Sequence, residues 1–282
     1  MIIRFLKQAL CLVVGYFIIT NHAFTLETES NNTAFTLNAE TITQGQLVVG
    51  KIDSNSTIKM NGKELSLTPQ GVFVFGVGRD ETGDIELAVK SADLNIAFHH
   101  YKIIPRQWKI ERIDGLPPSK VNPRSEKLLN RIRRDGVLVK KARSNQSNQN
   151  NFSKPFIKPA IGRISGVYGS QRILNGVKKR PHYGEDIANK VGTPVIAPSA
   201  GIVTLAEKDL FFSGGTIIID HGYGVTTTYL HLSQINVKVG QIINQKQKIG
   251  EIGSTGRATG PHLDWRLNWN TTRLDPGLLV KD

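Results

Sequence analysis

The chain has 282 residues, 39% of them hydrophobic, and carries a formal net charge of +13. That length and apolar content suit a globular protein of about two domains with real cores. The basic balance calls for an anionic partner such as cell-wall polymer, lipopolysaccharide or a phospholipid surface. Nucleic acid is set aside, because the chain begins with an export signal and carries no recognition motif.

The first element is that signal. Arg4 and Lys7 precede an apolar run from Ala9 to Ile19, and Asn21-His-Ala23 offers a small residue for cleavage. The run is short for a span of about 20 residues, so 1–23 reads as a secretory signal peptide, with an uncleaved anchor as the alternative. The only cysteine, Cys11, lies inside it. The mature chain then has no disulfide and offers a metal no sulfur ligand. The expected location is the periplasm or cell envelope.

Residues 24–115 read as a small β-sandwich of immunoglobulin-like character. Its strands are Gln46-Leu-Val-Val-Gly, Ser56-Thr-Ile-Lys-Met, Val72-Phe-Val-Phe-Gly and Asp84-Ile-Glu-Leu-Ala-Val. Asn61-Gly62 marks a two-residue hairpin. His99 and His100 are adjacent, so on a strand they face opposite ways and make a poor metal pair.

Residues 116–157 read as a connector. The double proline at 117–118 stops the sheet. A run rich in Lys and Arg follows from Arg124 to Arg143, with helical amphipathicity from Leu128, Leu129, Ile132 and Val137 and a break near Gly136. It is either a solvated basic helix, or a docking element for an anionic envelope surface or a cover for a groove. The polar stretch Ser144-Asn-Gln-Ser-Asn-Gln-Asn-Asn151 is expected to be a flexible linker and hinge.

Residues 158–282 alternate strand signals with glycine turns and should be nearly all β. Thr216-Ile-Ile-Ile-Asp and Val225-Thr-Thr-Thr-Tyr-Leu-His form a hairpin that delivers His231 to a sheet face, with His221 a local turn residue. Three pieces carry the chemistry: Pro-His182-Tyr-Gly-Glu-Asp186, Tyr-Leu-His231-Leu and Gly-Pro-His262-Leu-Asp264-Trp. Residues i and i+2 of a strand share a face, so His262 and Asp264 point together, with Arg266 and Asn268 beyond them on the same side. Trp265 and Trp269 turn the other way. Three imidazoles and two carboxylates on one surface make a candidate divalent-metal site. No His-Glu-x-x-His string occurs, which excludes a helix-borne zincin.

The region from Pro159 to Leu279 resembles the M23 family of peptidoglycan-cleaving zinc endopeptidases, the lysostaphin- or LytM-type domain. The motifs that carry the likeness are His182-x-x-x-Asp186, His231 closing a strand, and His262-x-Asp264 in place of the family's His-x-His. The resemblance implies a mostly β fold, with one zinc ion held by His182, Asp186 and Asp264. It makes His231 and His262 the catalytic histidines and peptidoglycan the substrate. Tyr183 and Arg266 are outer neighbours of the site. Asp264 in place of histidine implies one more negative charge on the metal and a weaker Lewis acid. Two activities stay open: hydrolysis of peptide cross-links, or a non-cutting domain that binds peptidoglycan or activates a separate amidase.

Overall fold

The computed structural model describes residues 35–115, 125–144 and 146–280, which belong to one compact unit. The expected signal peptide and the double proline lie outside the described residues. No helix among those described is long and apolar enough to cross a membrane.

The N-terminal strands form two facing sheets. One orders Thr36–Leu37, Leu47–Lys51 and Val72–Gly76; the other orders Ile42–Thr43, Ile96–Ile104, Asp84–Lys90, Thr57–Met60 and Lys63–Leu65. Asn61 and Gly62 both adopt positive φ, 48° and 77°, the mirror-image turn whose twist matches a two-residue hairpin. Alternation along Asp84–Lys90 buries Ile85, Leu87 and Val89 against Phe73 and Phe75 of the other sheet. His99 stacks on Phe35 with ring centroids 3.9 Å apart, and His100 is exposed.

The basic segment is one helix, α1 (Glu126–Ser144), and it does not break at Gly136. A glycine inside a helix costs only about 1 kcal/mol. Here Leu138, Val139 and Ala142 offset that by packing on Leu205, Leu210 and Ile218. Val137, expected on the apolar face, is exposed. Asp135 fixes the same face of the helix, accepting the Phe211 N–H at 2.7 Å, and Arg131 pairs with Asp209.

The Asn/Gln/Ser stretch also differs from expectation. Ser147 N–H donates to Asp220 Oδ2 at 2.9 Å, and Tyr223 N–H donates to the Ser147 carbonyl at 3.0 Å. A side chain at Gly222, where φ is +98°, would come within 1.7 Å of the Gln149 carbonyl. A stretch too polar to bury apolar area is therefore held by backbone hydrogen bonds, which composition does not reveal.

The C-terminal region is built on an eight-stranded antiparallel sheet. Its strands are β1 (Arg163–Gly166), β2 (Glu185–Ala188), β3 (Gly201–Leu210), β4 (Gly214–Asp220), β5 (Val225–Leu232), β6 (Ile242–Ile243), β7 (His262–Trp269) and β8 (Thr272–Leu274). Their order is β1-β2-β7-β5-β4-β3-β6, with β8 beside β7. One face packs Ile187, Ile217, Ile219, Tyr229, Leu263 and Trp265 into the main core. A second apolar cluster joins the two regions: Leu47 and Val74 meet Val225, Leu267 and Leu274. Ile110–Ile113 further pairs in parallel with Gln171–Leu174.

Candidate metal centre

The strand order places β2, β7 and β5 side by side, and register then assembles the site. Asp186 lies directly opposite Asp264, and Asp264 is opposite Leu230, one residue before His231. His182 enters from the loop before β2, held by its N–H on the Ser170 carbonyl at 2.9 Å and by its carbonyl on the Gly169 N–H at 2.8 Å. One ligand atom from each of His182, Asp186 and Asp264 lies within 4.8 Å of the others, and all three residues are buried. The carboxylates press closely on glycines. An added Cβ at Gly166 would meet Asp186 Oδ2 at 2.3 Å, and one at Gly184 would meet Asp264 Oδ1 at 2.2 Å.

A cation fits this arrangement. His182 Nε2 and Asp186 Oδ1 approach to 3.1 Å, yet neither makes a hydrogen bond, and both are shielded from solvent. Buried polar atoms left this way are costly, and a shared divalent ion satisfies both.

Each carboxylate also carries a guanidinium. Arg266 grips Asp264 with both edges, Nε to Oδ1 at 2.9 Å and Nη2 to Oδ2 at 2.5 Å. Arg172 reaches Asp186 Oδ2 at 3.2 Å and Glu111 at 3.3 Å. Burial pushes the Asp264 carboxyl upward, but the Arg266 charge, then His182, and the hydrogen bonds from Arg266 outweigh it and hold the group well below the usual carboxylate range. The extra negative charge expected from Asp264 is thus cancelled locally. Asp264 with Arg266 presents the same net charge as a neutral histidine.

The two remaining histidines face each other with ring centroids 4.8 Å apart. His231 Nδ1 lies 2.8 Å from the Thr255 carbonyl, and His262 Nδ1 lies 2.8 Å from the Gly260 carbonyl. A carbonyl only accepts, so each Nδ1 carries the proton and each Nε2 keeps its lone pair when the ring is neutral. His231 takes φ of 65°, a left-handed turn of the backbone that ends β5. Burial lowers its pKa, with Asp264 opposing that shift.

All five expected residues therefore converge. His221 does not join them: it is buried in the core, with Nδ1 on the Ala200 carbonyl at 2.7 Å and Nε2 on Thr227 Oγ1 at 2.8 Å. Arg172 escaped the sequence reading, since its pairing with Asp186 arises between strands of different sheets. Arg266 was legible two residues beyond Asp264 on one face, but its bidentate grip was not.

A buried one-histidine, two-carboxylate cluster flanked by two oriented imidazoles on an antiparallel sheet has the donor set of a divalent-metal site. Residues 180–276 match peptidase family M23. It is 35% identical over 170 residues to the peptidoglycan DD-endopeptidase ShyA of Vibrio cholerae, covering 58% of this chain and 38% of that protein. It is 41% identical over 127 residues to ShyB of the same organism, covering 44% of this chain and 29% of that protein. The chain thus spans well under half the length of these relatives. A crystal structure of a putative peptidase M23 from Pseudomonas aeruginosa superposes with a TM-score of 0.63 at 28% identity, over 84% of this chain and 94% of that one.

Proposed function

We propose that this protein is a zinc metalloendopeptidase that cleaves peptide cross-links in bacterial peptidoglycan. The observation that carries the reading is the unpartnered, buried His182 Nε2 and Asp186 Oδ1 facing each other beside Asp264. One imidazole and two carboxylates suit zinc, with His182, Asp186 and Asp264 as its ligands. Bound there, zinc supplies Lewis acidity to the scissile carbonyl and an acidified water.

The chain's own groups do the rest. His231 and His262 each hold Nδ1–H on a backbone carbonyl and turn Nε2 free. One takes the proton of the attacking water at Nε2 and returns it to the leaving amine. The other, protonated at Nε2, donates to the oxyanion as its charge develops. The lowered pKa of His231 keeps it neutral near pH 7, which favours it as the base. These oriented imidazoles also argue against a domain that only binds the wall, because binding needs neither of them.

The names of the curated relatives support peptidoglycan as substrate, and the net charge of +13 suits an anionic wall. Export by residues 1–23, an accessory region 24–115, a connector 116–157 and a peptidase domain 158–282 complete the reading. Residues of α1 that face outward, Arg133 and Arg134 among them, give a surface for anionic envelope components.

The test is metal analysis joined to dye release from purified sacculi. About one zinc per chain with chelator-sensitive release is expected. Full zinc occupancy with no release from sacculi of several wall types overturns the hydrolase reading.

A further inference from the structure

The face that carries His262 and Asp264 continues along β7 to Arg266 and Asn268. Thr228 stands opposite Arg266, while Thr226 and Arg273 flank Asn268 on the two neighbouring strands. Directly opposed residues project to the same side of a sheet. Arg143, in the last turn of α1, reaches this side and donates to Thr228 Oγ1 at 3.2 Å. Arg266 and Arg273 therefore stand diagonally on neighbouring strands of one face, and Arg143 joins them from α1 through Thr228.

Their counter-charges are few. Asp264 is engaged by Arg266, and Asp186 by Arg172. Among the described residues, Arg143 and Arg273 have no carboxylate partner. Burial first, then Arg273 and Arg266, pull the Arg143 pKa down to about 9; burial first and then Arg266 lower that of Arg273. Arg143 Nε, Thr226 Oγ1 and Asn268 Oδ1 are all buried without a hydrogen-bond partner. Sequestered cations of this kind are costly unless an anion completes them.

Arg273 leads from this row into a cavity of about 300 Å³ that it lines with Arg79, Asp80, Tyr183, Thr271 and Thr272. Its guanidinium lies over the Tyr183 ring at 4.9 Å, next to the ligand His182. The other cation there is already satisfied. Arg79 pairs with Asp80, donates to the Gly169 carbonyl at 2.8 Å and lies over Trp108. The Arg273 guanidinium faces this cavity, and the loop after Val72–Gly76, through Gly78, Arg79 and Asp80, supplies the opposite wall.

We propose that this cavity is a carboxylate-binding subsite of the peptide groove, in which Arg273 pairs with a free carboxylate of the substrate and Arg143 and Arg266 reinforce it from behind. A planar guanidinium has an edge of parallel N–H donors that matches a two-oxygen acceptor, which suits a carboxylate. The subsite rests on the peptidase reading of this cleft and adds to it a preference for peptides with an unamidated carboxyl near the scissile bond. It also gives the N-terminal region a task, since residues 79 and 80 close the cavity.

The experiment uses the full chain, fluorescently labelled cross-linked muropeptide dimer from sacculi, and the same dimer with its carboxyl groups converted to carboxamides. Binding is read by anisotropy with zinc and again after chelation, so that turnover cannot hide it. Wild type should bind the acid form about 10-fold or more tighter, the size of one charged hydrogen-bonded contact. Arg273→Gln should erase the preference and Arg273→Lys should keep part of it, with zinc content unchanged in both. Equal binding of the two dimers by wild type, or a preference undiminished in folded Arg273→Gln, overturns the subsite; the wild-type comparison decides even if the variant does not fold. A protein that prefers the acid form but cuts neither sinks the hydrolase reading and leaves the subsite standing. One that binds and cuts both forms alike does the reverse.

Discussion

The pairing of Asp264 with Arg266 can be tested as a double-mutant cycle. Asp264 is 4% exposed and Arg266 23% exposed, and two hydrogen bonds join them. Asp264→His leaves a buried guanidinium without its carboxylate; Arg266→Met leaves a buried carboxylate without its cation. Breaking a buried pair from one side costs about 3–5 kcal/mol, whereas replacing both partners with neutral groups of similar volume is often close to neutral. In chelator-treated protein, each single variant should therefore lose about 3 kcal/mol or more in urea unfolding. The double variant should lose far less than the sum, giving a coupling of at least about 2 kcal/mol. Zinc affinity, measured by competition with a chromophoric chelator, should follow the same order: weak in Asp264→His, where an uncancelled cation sits beside the ion, and recovered in the double variant. Strictly additive stabilities, or a single Asp264→His variant that binds zinc as tightly as the double, would refute the claim that Arg266 offsets the charge of Asp264.

Other outcomes follow from the site and the core. His231→Ala should keep its zinc and lose about 100-fold or more of sacculus digestion, in line with removal of a general base; loss of the metal would instead make His231 a ligand. Gly184→Ala should weaken zinc binding by at least about 10-fold while the protein still folds, because the new methyl would sit 2.2 Å from Asp264 Oδ1; unchanged affinity by chelator competition counts against a tight carboxylate cradle. Burial depresses the His221 pKa to about 4, so the unfolded chain binds a proton near pH 6.5 that the folded chain refuses. Stability contributed by this group is whole above about pH 6.5 and falls by about 3 kcal/mol as pH drops to 4, and His221→Gln should flatten that part of the urea-unfolding profile.

Alternation and turn chemistry in the sequence determined the strands, the Asn61-Gly62 hairpin and the shared face of His262, Asp264 and Arg266. These are local: a period of two and a two-residue turn are written in adjacent residues. Motif spacing likewise placed His182, Asp186 and His231 in one β region before any contact was known. Tertiary structure decided what depends on long-range register. Opposing β2 to β7 put Asp186 against Asp264, and the placement of the Gln171–Leu174 strand brought Arg172 to the first of these carboxylates. The same holds for the polar stretch after α1, which composition marks as unable to build a core. It is ordered because Asp220 and Tyr223 of a remote turn satisfy the Ser147 backbone while Gly222 leaves room for the Gln149 carbonyl, and a hydrogen bond between segments far apart in the chain leaves no trace in either one.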